Sequence, residues 1–337
     1  MRERRYGWTV AALWAAVVAI LLLSLCVGRY AVPPGTVVRV LLARLFPITP
    51  AWDGTVETVV WQVRLPRVLA GALVGASLAA GGAVFQGLFR NPLVSPYVLG
   101  VSSGAGFGAA AAILLGASAI VTQASAFAMG AVAVLLTMFI ARFGRDRSQV
   151  TLVLAGFVVG SLFSSLISGA QYVADPATRL PQIVFWLMGS LASAQWGDLG
   201  RAAAVIIPCL VAVTVLRWKV NVLSMGDEEA RSLGENPAEM RLLLIGLTTM
   251  ATAVSVSLAG VIGWVGLVVP HLSRWLVGPD ARRLVPASMA VGALTMMLID
   301  DVARTLLTAE IPLGILTGII GAPVFAVLLQ RRRSGWE

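Results

Sequence analysis

The sequence predicts an all-α fold, a polytopic bundle of about ten membrane-spanning helices per subunit. Of the 337 residues, 58% are hydrophobic and 12% charged, more apolar side chain than one water-soluble core buries. The apolar residues fall in long runs, not in short alternating stretches, and the charged residues gather between the runs. Hydrocarbon offers the backbone no hydrogen-bond partner, so runs of this length must be helices.

Runs of spanning length lie near 8–27, 66–87, 97–116, 119–141, 150–172, 199–216, 242–260, 262–277, 285–304 and 312–330, within one transmembrane domain over 1–337. The first follows Met1-Arg-Glu-Arg-Arg as a signal peptide would, and Leu23-Ser-Leu-Cys26 has the outline of a lipoprotein cleavage site. Leu25 stands where that signal needs a small residue, and the run is long enough to span, which favours an uncleaved first helix. Gly and Pro are frequent within the runs, as suits close helix packing and local unwinding in a membrane.

The net charge of +9 comes from arginines clustered beside the hydrophobic runs, without interleaved aromatics, and so signals topology and not nucleic acid. Placing both termini in the cytoplasm puts 17 of the 25 Lys and Arg residues inside, among them Arg142, Arg145, Arg147, Arg217, Lys219, Arg282 and Arg283. The same placement needs an even number of spans and leaves the longest connection, near 28–63, outside. Gly75–Leu88 and Val254–Leu267 echo each other in small and apolar residues, on spans that run in opposite directions, the sign of an inverted repeat.

Between the sixth and seventh runs, 221–241 is the most polar stretch and should lie in the cytoplasm. Ser224 with Asp227 three residues on resembles a helix start, Gly234 a helix end, and Pro237 the first turn of a second helix. The pattern fits two short helices forming a knob, or a solvated loop.

Chemistry is sparse. The only lysine, Lys219, follows Trp218, so no P-loop can exist in this chain. Cys26 and Cys209 lie in separate apolar runs with no metal-ligand spacing, and His271 has no neighbouring carboxylate or cysteine, so packed side chains are expected and no metal or cofactor site. An ion-coupled transporter would place ionisable groups at mid-bilayer. The acidic residues nearest to that depth, Asp300 and Asp301, stand one turn before Arg304, where local ion pairing is expected. No nucleophile and base can be paired, which argues against an enzyme. On the outer side, Arg64 and Arg67 open the second span and Arg304 closes the ninth; they suit either snorkelling to lipid phosphates or docking of an acidic soluble partner.

Several stretches resemble the FecCD family of permeases, which serves importers of iron siderophores, haem and vitamin B12. The longest resemblance runs from Trp61-Gln-Val-Arg-Leu-Pro-Arg67 through Ser77–Gln86 and Asn91-Pro-Leu-Val-Ser-Pro96 to Leu99-Gly-Val-Ser-Ser-Gly-Ala-Gly106. Further stretches are Phe185–Ser190, Ala230-Arg-Ser-Leu-Gly234, Gly263–His271, Asp301-Val-Ala-Arg304, Glu310–Ile315 and Gly321–Phe325.

The resemblance implies a type II ABC importer permease fold. It also implies a homodimer with the pathway between subunits, two ATP-binding-cassette ATPase subunits on the cytoplasmic side and a periplasmic-type binding protein outside, in a bacterial or archaeal inner membrane. It assigns Arg64, Arg67 and Arg304 to docking of the binding protein. ATPase coupling falls to 221–241, with Asp227, Glu228, Ala230, Arg231, Leu233, Gly234 and Arg241. An inner gate falls near Asn91, Leu93, Ser148 and Gln149, and the fifth and tenth spans line the pathway. An iron chelate is the expected cargo, with haem or cobalamin as alternatives.

Overall fold

The computed structural model describes residues 2–47, 49–50, 52–143 and 149–331. Among them are fourteen α-helices and no strand. The end of the bundle carrying the connection 28–63 is termed outer, after the charge count, and the opposite end inner.

Helix α1 (Arg2–Cys26) leads to the outer end, where α2 (Pro34–Leu42) and α3 (Gly54–Thr58) follow. A π-helical turn, Val59–Arg64, passes directly into α4 (Leu65–Leu88), which descends to the inner end. A 3-10 turn at Pro96–Leu99 precedes α5 (Val101–Leu114), and α6 (Ala119–Arg142) returns to the inner end. Helix α7 (Gln149–Val173) ascends, the short α8 (Arg179–Met188) caps it, and α9 (Trp196–Met225) descends. At the inner end α10 (Asp227–Ser232) joins α9 to α11 (Pro237–Ala259). Finally α12 (Val265–Val277), α13 (Ala281–Thr305) and α14 (Leu313–Arg331) alternate in direction.

Seven of these helices are long and apolar enough to cross a membrane, and three shorter apolar ones, Val101–Leu114, Val265–Val277 and Leu313–Leu328, sit among them. The run 97–116 contracts to α5 because Gly100 takes a left-handed conformation (φ 78) after the 3-10 turn. At about 1.5 Å per residue its 14 residues reach about 21 Å, short of a hydrocarbon thickness near 30 Å. The run 262–277 contracts likewise, because the backbone leaves helix from Gly260 to Trp264, and Trp264 itself is left-handed (φ 68). The two echoing stretches differ in backbone: Gly75–Leu88 is continuous helix, whereas Val254–Leu267 is interrupted from Gly260 to Trp264.

Helix α9 is longer than its apolar run. It continues to Met225, carrying Lys219 and Asn221, whose side chains bond Glu235 and Asp280 at 2.8 and 2.6 Å. Neither α2 nor α8 stands out in hydropathy, because each is short and has one apolar face; Val37 and Val40 of α2 are buried, and Ile183 of α8.

Helix α4 is the axis of the subunit. Of its apolar window 83% is buried, against 17% for α1, so the other spans wrap around it. A Cβ added to Gly75 would overlap the carbonyl oxygen of Gly292 in α13, and one added to Gly292 would overlap that of Gly75. The two backbones are therefore in contact, the small-residue packing that holds helices together where lipid tails supply no hydrophobic drive. Gly82 meets Gly266 of α12 in the same way. Gly292→Val should push α13 off α4 and lower stability by about 1–3 kcal/mol, read as an earlier melting transition of the solubilised protein.

Candidate functional site

Two polar assemblies stand at opposite ends of this apolar bundle. At the outer end, the π-helical turn rotates Arg64 inward against α1, where its guanidinium donates to the carbonyl of Leu25 at 2.7 Å and to that of Tyr30. One turn later Arg67 holds two carboxylates. Its Nε and Nη2 donate to Asp300 of α13 at 3.0 and 2.9 Å, and its Nη1 and Nη2 to Glu310 at 2.9 and 3.0 Å. Arg304 pairs with Asp301, donates to the Ser24 carbonyl at 2.6 Å, and approaches Asp300 at 3.6 Å. Ser24 of α1 donates to Asp301 at 2.7 Å.

The local pairing expected of Asp300 and Asp301 with Arg304 is present, inside a larger network that ties α1, α4 and α13 together. The three arginines are 3–5% exposed. In this structure they are occupied by partners within the chain and do not stand open at the surface, neither to lipid phosphate nor to a soluble protein. Glu310 is the accessible member, its side chain 31% exposed against 2% for Asp300. It lies beyond the spans, and although burial pushes its carboxyl up, the hydrogen bonds and charge of Arg67, with Arg29 and Arg304, hold it below the usual carboxylate range.

At the inner end, 221–241 does not form the expected pair of short helices. Residues through Met225 belong to α9, one short helix follows, and the next begins the spanning helix α11. Gly226 and not Ser224 precedes α10, and the Ser224 hydroxyl bonds back to Asn221 within α9. Gly234 does close α10, in a left-handed conformation (φ 81), and Pro237 opens α11 behind Asn236, which caps the amides of Ala238 and Glu239.

The result is a braced knob. Ala230 is fully buried, Arg241 bonds Asp227 at 2.8 Å, and Lys219 bonds Glu235 at 2.8 Å. The Arg241 hydrogen bond holds the Asp227 carboxyl below the usual carboxylate range. Asp227, Glu228 and Glu229 crowd the first turn of α10, where negative charge suits the backbone dipoles. Glu228, Arg231, Leu233 and Gly234 face outward, with Leu233 60% exposed.

Of the residues expected at an inner gate, Asn91 and Leu93 lie in the exposed turn after α4, where the Asn91 side chain accepts from the Leu93 amide at 3.0 Å. Ser148 lies outside the described residues, and Gln149 is described only as the start of α7. A network the sequence did not reveal holds this turn. His271, packed and 6% exposed, donates from Nε2 to the Pro92 carbonyl at 2.9 Å. Because that carbonyl can only accept, Nδ1 is left to accept from Arg274, which also donates to Gln86 at 3.1 Å. Gln86 in turn donates to the Leu267 carbonyl at 3.1 Å.

The outward face of α7 carries Phe157, Ser161, Ser164, Ser165, Ser168 and Tyr172, all exposed at helical spacing. Four serines interrupt the small, apolar lining expected of a pathway helix. Ser165 and Ser168 bond back to carbonyls one turn earlier, so the stripe is polar yet uncharged.

The model of the FecCD transport family matches residues 16–331. The chain belongs to the FecCD transport family. This FecCD chain is 41% identical to the molybdate import system permease protein MolB of Haemophilus influenzae, over 99% of both chains. It is 38% identical to the vitamin B12 import system permease protein BtuC of Klebsiella pneumoniae, over 99% of this chain and 97% of the relative. A solved chain, an inward-facing conformation of a metal-chelate type ABC transporter, superposes with a TM-score of 0.86 at 40% identity, covering 96% of this chain and 98% of that one. The FecCD chain is thus a multi-pass membrane protein with the all-α fold of an ABC transporter permease.

In this permease Asp300→Asn should leave Arg67 and Arg304 short of a buried counter-charge. A loss of about 3–5 kcal/mol is expected, measured as a lowered melting temperature in detergent.

Proposed function

We propose that this chain is the permease subunit of an ATP-binding-cassette importer that carries an iron chelate across a bacterial or archaeal inner membrane by alternating access. It works as a homodimer with two separate ATPase subunits and a periplasmic-type binding protein. The observation that carries the reading is the braced inner knob, on a chain whose single lysine rules out a P-loop of its own. Exposed Leu233, at the end of the short helix that carries exposed Glu228 and Arg231, suits seating in a cleft of an ATPase, and the ion pairs to α9 and α11 pass movement of the knob into spanning helices. The gate is assigned to the turn at Asn91 and Leu93 together with Ser148 and Gln149.

The serine face of α7 supports a pathway completed by a second copy. Its four hydroxyls, two of them bonded within the helix, make an uncharged lining that releases cargo rather than holding it. The metal-chelate type of the solved neighbour supports the iron chelate. The full-length identity to MolB favours a second reading, molybdate, and BtuC keeps cobalamin as an alternative. Docking is assigned to the outer cluster of Arg64, Arg67 and Arg304.

Vesicles containing the chain, its ATPase and its binding protein should accumulate one labelled cargo among ferric siderophore, cobalamin and molybdate when ATP is enclosed. Accumulation driven by an ion gradient without ATP would overturn the importer reading. In the same vesicles Asp227→Asn should lower ATP-driven uptake severalfold while leaving binding-protein affinity unchanged. The brace itself is partly exposed and worth about 0.5–1 kcal/mol, so the fold survives its loss.

A further inference from the structure

The docking arginines are filled from within. Arg67 presents two edges, and the structure gives them unlike occupants. Asp300 takes the Nε and Nη2 edge and is 2% exposed, whereas Glu310 takes the Nη1 and Nη2 end and is 31% exposed. The end of a guanidinium accommodates one carboxylate in a bidentate fork, so a second can bind there only if the first leaves. Arg64 is committed to carbonyl groups, and Arg304 to Asp301 and the Ser24 carbonyl, both at 3–5% exposure. Among the three arginines, the edge that Glu310 covers is the one a soluble partner can reach by exchange.

We infer that Glu310 holds, from inside the chain, the place that a carboxylate of the binding protein takes on docking. Docking is then an exchange of carboxylates on Arg67 that releases the connection between α13 and α14. The inference rests on the docking reading above and adds its mechanism.

Three features of the connection fit this role. Exposed Arg29, which bonds the Leu307 carbonyl at 3.3 Å and lies close enough to Glu310 to lower its pKa, offers an incoming carboxylate a landing charge beside the exchange site. Incoming and outgoing carboxylates would make the same hydrogen bonds to Arg67, so the exchange leaves no buried charge unpaired. The connection is also clipped at two points beyond Glu310: the Ile311 amide bonds the Ala303 carbonyl at 3.1 Å, and the Leu313 amide bonds the Gly189 carbonyl at 2.9 Å. Gly189 ends α8 and Leu313 begins α14, so these clips hold the joint between the two helices while release of Glu310 frees the stretch before Ile311.

The test uses the permease and ATPase complex in lipid nanodiscs, with the binding protein that supports uptake in the vesicle assay. Glu310→Gln removes the competing charge and should raise binding-protein affinity on the order of tenfold at low salt. Unchanged or weakened affinity in a variant that melts normally overturns the exchange. A spin label at Thr308→Cys, with Cys26 and Cys209 replaced by Ser, reads the connection without any partner. It should be immobile in the otherwise unchanged chain, mobile in Glu310→Gln, and mobilised by docking; a label equally immobile in both chains also overturns the proposal. The double variant Arg67→Gln with Asp300→Asn removes a buried pair together and so limits misfolding. If that variant binds normally at low salt, the docking reading fails; if it binds weakly while Glu310→Gln changes nothing, only the exchange fails.

Discussion

The contact between α4 and α13 is the constraint on which the rest of the subunit depends. Gly75 and Gly292 bring the two backbones together, and Arg67 with Asp300 locks the outer end of the same pair. Neither device suffices alone. Small residues give close packing but little directional restraint in hydrocarbon, and a buried ion pair repays its desolvation only when its geometry is held. Here the glycines fix the separation that lets Arg67 reach Asp300 with two nitrogens, and the ion pair fixes the rotation of α13 against α4. Every span that packs on this pair inherits its orientation.

With that axis set, polar groups can be confined to the two ends. The outer network is largely buried and its charges are paired, with Arg304 Nε left 3.6 Å from Asp300 and without a hydrogen bond. The inner network from Pro92 through His271, Arg274 and Gln86 to Leu267 is a hydrogen-bonded chain that seats the turn after α4 on α12. The knob beyond it differs in kind. Its ion pairs are only partly buried, with side chains 17–45% exposed, so they orient α10 and add modestly to global stability. The knob can therefore shift without unfolding the bundle.

Much of this was legible in the sequence because hydropathy reports the length of a span directly. Each long apolar run contains a helix, and Asp300, Asp301 and Arg304 pair as their spacing of three and four residues requires. What stayed hidden had no local signal. The partner of Arg67 lies 233 residues away, so burial of Arg64, Arg67 and Arg304 could not be read from a motif. Hydropathy also sees neither the end of α5 at Gly100 nor the break from Gly260 to Trp264, because the residues there are apolar whether helical or not. It misplaced the inner end of α9 for the opposite reason: Lys219 and Asn221 are polar, yet each stays helical by finding a partner, Glu235 before α11 and Asp280 before α13. The serines of α7 were passed over because hydroxyls bonded to their own helix barely alter an apolar run.

These breaks bear on how such a bundle moves. Helix α4 is gripped by α13 and α12 through backbone contact, and a unit packed that tightly moves as one body rather than bending. Displacement at the knob, carried by α9 and α11, must then appear where the backbone is already free of regular hydrogen bonding. Two such places flank the axis: the 3-10 turn with Gly100 below α5, and the stretch from Gly260 to Trp264 between α11 and α12. The second meets the ends of α8 and α14 through the Ser190 amide on the Ala259 carbonyl and the Leu313 amide on the Gly189 carbonyl. A rigid axis with compliant joints at its inner and outer margins is the arrangement that lets force applied at one end change the accessibility of the other.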